Sequence, residues 1–344
     1  KSYQENKENN RTALNERIQA KNICSPAFIY NLIHEKNDTG SYFSDAFRVL
    51  NDFGCPSLVD MPYNDTDYQT WPDENDFENA IPNRTQSASG GEYYYLQMNS
   101  DSKLGQVKQL LQNGKLVVFG IYVYENFDDI ENYNNIYTIS DKTGDNRGGH
   151  AQTIVGFDDN KATNDGIGAF RVVNSWGSNW GDNGFYWMSY EAVKYTSELS
   201  QGYALWIDDK DNYVSDKKAA FKFNHNYSRE TETWISIGGE TLYFFDFHVN
   251  QKEAEYRSFP NSNIVLDIKD LSLYLSPGAE LRLNMADEVL NGISGSIENF
   301  IYQDEENRIY ISSMDVPVII ADNSQDFASV TTRFPEFPGI HLSK

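Results

Sequence analysis

The chain has 344 residues, enough for one large domain or two ordinary ones whose cores need no disulfide staples. Its 51 acidic residues against 28 basic ones give a net charge of −23, which argues against a nucleic-acid partner, since phosphate contacts need clustered Lys and Arg. No apolar run approaches the ~18–20 residues that cross a bilayer, and the polar start Lys1-Ser2-Tyr3-Gln4 reads as a cytosolic protein or as a processed form without its leader.

Residues 1–22 read as a polar helix with Tyr3, Ala13, Leu14 and Ile18 as its apolar points. A second helix begins at Ser25, a good N-cap, with Pro26 in the first helical position ahead of Ala27-Phe28-Ile29-Tyr30. A third carries Phe43, Ala46, Phe47 and Leu50 at helical spacing and stops at Gly54. From Met61-Pro62-Tyr63 to about residue 100 the chain reads as polar and irregular, and a short helix with Val107, Leu110 and Leu111 then ends at Gly114.

The pattern next changes to strands. Residues 116–124 form a buried strand by length and β-branched content, and 150–157, 168–174 and 184–189 are three more, joined by Gly/Asn/Asp turns. Helices first and antiparallel strands second make an α+β fold. Beyond an acidic linker at residues 208–217, short strands at regular spacing from Ala220 to Ile311 predict an all-β sandwich over 218–325, followed by a tail over 326–344.

Two blocks carry chemistry. Gly148-Gly149-His150-Ala151-Gln152 opens one apolar run, and Asn174-Ser175-Trp176-Gly177, with Trp180-Gly181, closes the next. A thiol protease needs an imidazole to hold the nucleophile's proton and an amide oxygen to fix the imidazole's tautomer. His150 and Asn174 fit those roles, with Trp176 and Trp180 as a wall that excludes water from their hydrogen bond.

The segment from Gly149 to Tyr190 resembles the His and Asn blocks of papain-like cysteine peptidases. Ser25-Pro26-Ala27-Phe28, Gly40-Ser41 and Met61-Pro62-Tyr63 resemble the helical half of secreted prokaryotic members, so the resemblance covers roughly residues 1–207. It implies a two-lobed α+β domain over 1–207, a helical lobe facing an antiparallel β lobe, followed by the sandwich. It further implies His150 as proton carrier, Asn174 as its orienter, Trp176 as a lid, and Gly40, Ser41 and Gly149 beside the substrate backbone. The reaction implied is hydrolysis of a peptide or protein substrate, with no metal or organic cofactor.

The nucleophile departs from the family pattern. Family members carry a Gly-Ser-Cys-Trp-Ala-like run at the start of a central helix, and this chain has none. Lys1-Ser2-Tyr3-Gln4 looks like the continuation of that helix, which places the catalytic cysteine upstream of residue 1, including in a separate N-terminal fragment that stays bound. Within the chain, Cys24 is the one candidate, just before a helix N-terminus where a thiolate is stabilised. The other readings of Cys24 and Cys55 are buried thiols or one disulfide.

Oxygen-rich residues 158–166 read as a solvated hairpin turn, with a calcium site as the weaker alternative. The sandwich is similar to modules appended to prokaryotic surface peptidases, and Phe334-Pro335-Glu336-Phe337-Pro338 resembles an archaeal surface-sorting signal. These features predict an extracellular or cell-surface protein. The rival functions are a catalytically inactive papain-shaped scaffold, and an amidase or acyltransferase acting on something other than peptide.

Overall fold

A computed structural model describes residues 20–34, 40–86, 93–141, 143–198, 202–210, 212–245 and 257–332. The chain divides into two compact units, one made of residues 1–86 and 209–344 and the other of residues 87–208. The sequence reading of a polar helix over residues 1–22 lies almost wholly outside the described residues; Ala20–Asn22 form a single 3₁₀ turn.

Three helices open the first unit. Helix α1 (Pro26–Ile33) starts as its sequence requires: the Ser25 hydroxyl accepts the Phe28 N–H and itself donates to the Met61 carbonyl. Helix α2 (Phe43–Asp52) ends before Gly54, whose positive φ of 85° and contact with Ala80 leave no room for a side chain; a Cβ there would lie 2.1 Å from the Ala80 oxygen. Helix α3 (Glu74–Ala80) falls in the stretch read as irregular. Its signal is a reciprocal cap between Asp73 and Asp76, on a segment whose only large apolar residue is Phe77.

Cys24 and Cys55 form a disulfide with their Cα atoms 5.7 Å apart. The crosslink spans 31 residues, so by loop entropy the Cys24→Ser/Cys55→Ser protein should lose about 3–4 kcal/mol of stability. Denaturant midpoints compared with and without reductant check this; a midpoint indifferent to both reductant and substitution would reject it.

Among its described residues, the second unit is one seven-stranded sheet with two α-helices. Its elements are β1 (Tyr94–Gln97), α4 (Asp101–Gln112), β2 (Val117–Tyr124), β3 (Ile136–Tyr137), β4 (Asn146–Thr163), β5 (Gly166–Val173), β6 (Phe185–Ser189), α5 (Tyr190–Glu198) and β7 (Tyr203–Trp206). The strand order is β1-β7-β2-β4-β5-β6-β3, antiparallel except for the β3–β6 pair. Alternation along β2 sends Val117, Phe119, Ile121 and Val123 into a core shared with Leu104, Val107, Phe127, Phe170 and Tyr186. Helix α5, unforeseen in the sequence, is capped by the Ser189 hydroxyl, which accepts the Ala192 N–H at 3.0 Å.

The chain then returns to the first unit as a sandwich. Its strands are β8 (Lys217–Asn224), β9 (Thr231–Ile237), β10 (Glu240–Phe244), β11 (Ile264–Asp267), β12 (Glu280–Asp287), β13 (Gly295–Asp304), β14 (Ile309–Ser312), β15 (Val318–Ile320) and β16 (Gln325–Thr331). One sheet runs β11-β8-β13-β14 with β15 also on β13, and the other runs β10-β9-β12-β16. The segment read as a tail from residue 326 therefore begins inside a paired strand, where Ala328 and Val330 face the core.

The sandwich shares its core with the helices. Phe28, Leu32, Phe53 and Phe77 belong to one continuous buried cluster with Phe221, Val265, Phe300 and Leu283. Polar ties reinforce it: Arg257 reaches the carbonyls of Asn31 and Gln69 and stacks 4.2 Å over Trp71, and Arg229 reaches the His34 carbonyl. Arg84 pairs with Asp267 at 2.7 Å, and both side chains are nearly inaccessible. The sequence reading grouped these helices with residues 87–207; by packing they group with the sandwich, because the apolar faces of α1–α3 and of the sandwich sheet cover each other.

Candidate active site

His150 lies on β4, opposite Ile121 of β2. On the other side of β4, Thr153 pairs with Val173 near the end of β5. One further step in that register sets Asn174 opposite Gln152, and His150, two residues farther along β4, lies on the same face. The two side chains meet: His150 Nε2 and Asn174 Oδ1 are 2.7 Å apart.

The amide orientation fixes the tautomer. Asn174 Oδ1 also accepts the Ser175 main-chain N–H at 2.7 Å, and a backbone N–H can only donate. The atom facing the imidazole is therefore an acceptor, so Nε2 donates in this bond and Nδ1 is the nitrogen left for proton exchange. No described residue hydrogen-bonds Nδ1. His150 is half-buried and Asn174 is 8% exposed.

Trp176 lies against the imidazole, ring centres 5.1 Å apart and planes 35° apart, and is itself 40% exposed. Trp180 does not touch His150; it packs behind Trp176 at 5.5 Å and donates its indole N–H to the Phe127 carbonyl. Phe127 is the residue the sequence reading missed. Fully buried, it meets His150, Trp176, Trp180, Tyr137 and Tyr186 within 6.4 Å, and edge-to-face rings of this kind add packing specificity beyond their area. Its only signal is one aromatic residue amid Glu125-Asn126 and Asp128-Asp129. Burial raises the Tyr186 and Tyr137 phenols above their ordinary range, so neither serves as an acid or base at neutral pH.

The remaining candidates sit elsewhere. Gly149 is exposed beside His150 and pairs with Tyr122, while Gly40 and Ser41 precede α2 in the other unit. Cys24 is corrected: its sulfur is bonded to Cys55, so it has no thiolate to offer. The oxygen-rich turn does not converge on a cation. Asp158 accepts the Asn160 N–H, Asp159 accepts the Tyr190 hydroxyl and Lys108, and Asp165 accepts the Ile139 N–H and the Ser189 hydroxyl. Among the described residues, no group of three or more His, Cys, Asp or Glu side chains is placed to hold a metal.

The profile of the papain family of cysteine proteases matches residues 31–203, just over half of the chain. The chain belongs to that family. An uncharacterized peptidase C1-like protein of Acanthamoeba polyphaga mimivirus is 27% identical over 176 residues, 49% of this chain and 52% of that protein. The chain thus spans about half the length of the curated relative it matches. Among solved structures, xylellain, a cysteine protease from Xylella fastidiosa, is similar at a TM-score of 0.40 and 23% identity, over 56% of this chain and 74% of that one. The bromelain protease of Ananas comosus, in complex with the E64 inhibitor, is similar at 0.38 and 16%, over 54% and 78%. In this papain-family chain, the described part of the matched segment includes the end of α1, all of α2 and α3, and the sheet from β1 to β6.

Proposed function

We propose that the protein hydrolyses peptide bonds as a cysteine peptidase, with His150 as proton carrier, Asn174 as its orienter, and the nucleophilic cysteine supplied by a segment outside these 344 residues. The observation carrying this reading is the His150–Asn174 bond, which uses Nε2 and leaves Nδ1 to exchange a proton on an imidazole walled by Trp176. A thiol proton passes to Nδ1, giving a thiolate–imidazolium pair. The thiolate attacks the carbonyl carbon, and His150 returns the proton to the leaving amine as the C–N bond breaks. Nδ1 next takes a proton from water, the hydroxide attacks the thioester, and the acid leaves with the thiol restored.

Both cysteines of the chain are spent on the disulfide, and that observation favours one rival: a catalytically inactive papain-family scaffold. The same disulfide supports an oxidising, extracellular setting for either reading. The deciding experiment expresses the whole open reading frame and treats it with an alkylating thiol probe and a fluorogenic peptide. Labelling of a cysteine other than Cys24 and Cys55, together with hydrolysis, is expected. A protein that neither labels nor cleaves leaves the scaffold reading.

A further inference from the structure

We propose that Glu131 is a positioning residue of this site: by holding the Gly181 N–H, it fixes the tryptophan loop that shelters the His150–Asn174 hydrogen bond. The inference rests on the reading of His150 and Asn174 as the acid–base pair.

The loop over residues 174–184, between β5 and β6, is tied to itself and, through Asp182 on Arg171, to β5. Gly184 N–H donates to the Trp180 carbonyl at 2.8 Å, Asn183 N–H to the Gly181 carbonyl at 3.2 Å, and Asn174 N–H to the Gly184 carbonyl at 2.9 Å. Two bonds anchor it to the segment over residues 125–133, and they fall on adjacent residues. The Trp180 indole donates to the Phe127 carbonyl at 3.1 Å, and the Gly181 N–H donates to Glu131 Oε1 at 2.7 Å. Steric contact sets the same spot: at Gly181, with φ of 57°, a Cβ would lie 2.8 Å from the Phe185 oxygen and 3.3 Å from Ile130 Cγ2.

From that anchor the path to the imidazole is short. Trp180 packs on Trp176 at 5.5 Å and Trp176 on His150 at 5.1 Å. Glu131 is exposed and makes no bond to His150, so its effect runs through the loop. A loop released at Gly181 lets Trp176 swing away, and water then competes for the Nε2 proton.

The test uses the 344-residue chain labelled with ¹⁵N-histidine, with the His150 Nε2–H resonance assigned by its loss in His150→Ala. Glu131→Ala should speed solvent exchange of that proton about 10-fold, the equivalent of one anchoring hydrogen bond lost. Glu131→Gln, which keeps the acceptor oxygen, should stay within about 2-fold of wild type, and both variants should melt like wild type. Unchanged exchange in Glu131→Ala overturns the proposal. So does Glu131→Gln matching Glu131→Ala, or exchange in Glu131→Ala that tracks global unfolding. A whole protein without peptidase activity would instead sink the functional reading and leave this measurement standing.

Discussion

His150→Ala is expected to abolish peptide hydrolysis by the thiol-bearing protein, a loss of about 10⁴-fold or more in kcat, while Asn174→Ala leaves a weaker but measurable enzyme. The inequality follows from what each group does. In the proposed mechanism the imidazole carries a proton in both half-reactions, and of the described rings around it Tyr137 and Tyr186 do not replace it, since burial moves their phenols still further above neutral pH. Asn174 supplies one acceptor at 2.7 Å that selects the tautomer, and water can partly stand in for it. Alkylation of the thiol near neutral pH should follow the same order, because the thiolate depends on the same base. Equal losses in the two variants, or an active His150→Ala protein, would contradict this assignment.

Arg84→Ala should cost the helix-and-sandwich unit about 3–5 kcal/mol, because it leaves Asp267 charged and buried without its cation, and Asp267→Asn somewhat less, because Arg84 keeps Asp270 at 3.3 Å. The pair is 2.7 Å apart, with side chains 6% and 0% exposed, and Asp267 also accepts the Ser215 hydroxyl. A matched apolar replacement of both residues should cost much less than either single change. Burial alone would raise the Asp267 pKa, but Arg84, with help from Tyr213 and the Lys269 N–H, holds it below the ordinary aspartate value. A lowered folded pKa contributes stability that is complete above about pH 4 and is lost as pH falls through the folded value. Urea midpoints should therefore differ most between wild type and Asp267→Asn at neutral pH and converge as the buffer is acidified below about pH 4. A gap that stays constant down to pH 2 would rule out the charge pair as its source.

The approach of His150 to Asn174 was legible because its determinants are local: glycines beside the histidine, a strand, a turn, and Asn-Ser-Trp-Gly at the next strand's end. Phe127 and Glu131 were not, because each meets the tryptophan loop from about 50 positions away and sits in an acid-rich stretch with no period. Helix α3 hid for a related reason, with only Phe77 and Ala80 buried and its start written in a pair of aspartates. Strand β16 hid because its inward residues, Ala328 and Val330, are too small to mark an alternation. The partnership of the helices with the sandwich was invisible in sequence; Arg84 and Asp267 are 183 positions apart, and local patterning says which face is apolar but not what covers it.

That partnership sets an order of events during synthesis. The α1–α3 segment is complete once Gln86 has been made, yet the strands that cover its apolar face begin at Lys217 and end at Thr331. At ~5–20 residues per second on the ribosome, the wait is roughly 10–50 s. Throughout it, Phe28, Leu32, Phe53 and Phe77 have no sheet to bury them, while the strands of residues 87–208 can pair as they emerge. The helical segment, made before the sheet that covers it, thus becomes native only after that sheet arrives, and the Cys24–Cys55 crosslink closes wholly within this waiting segment.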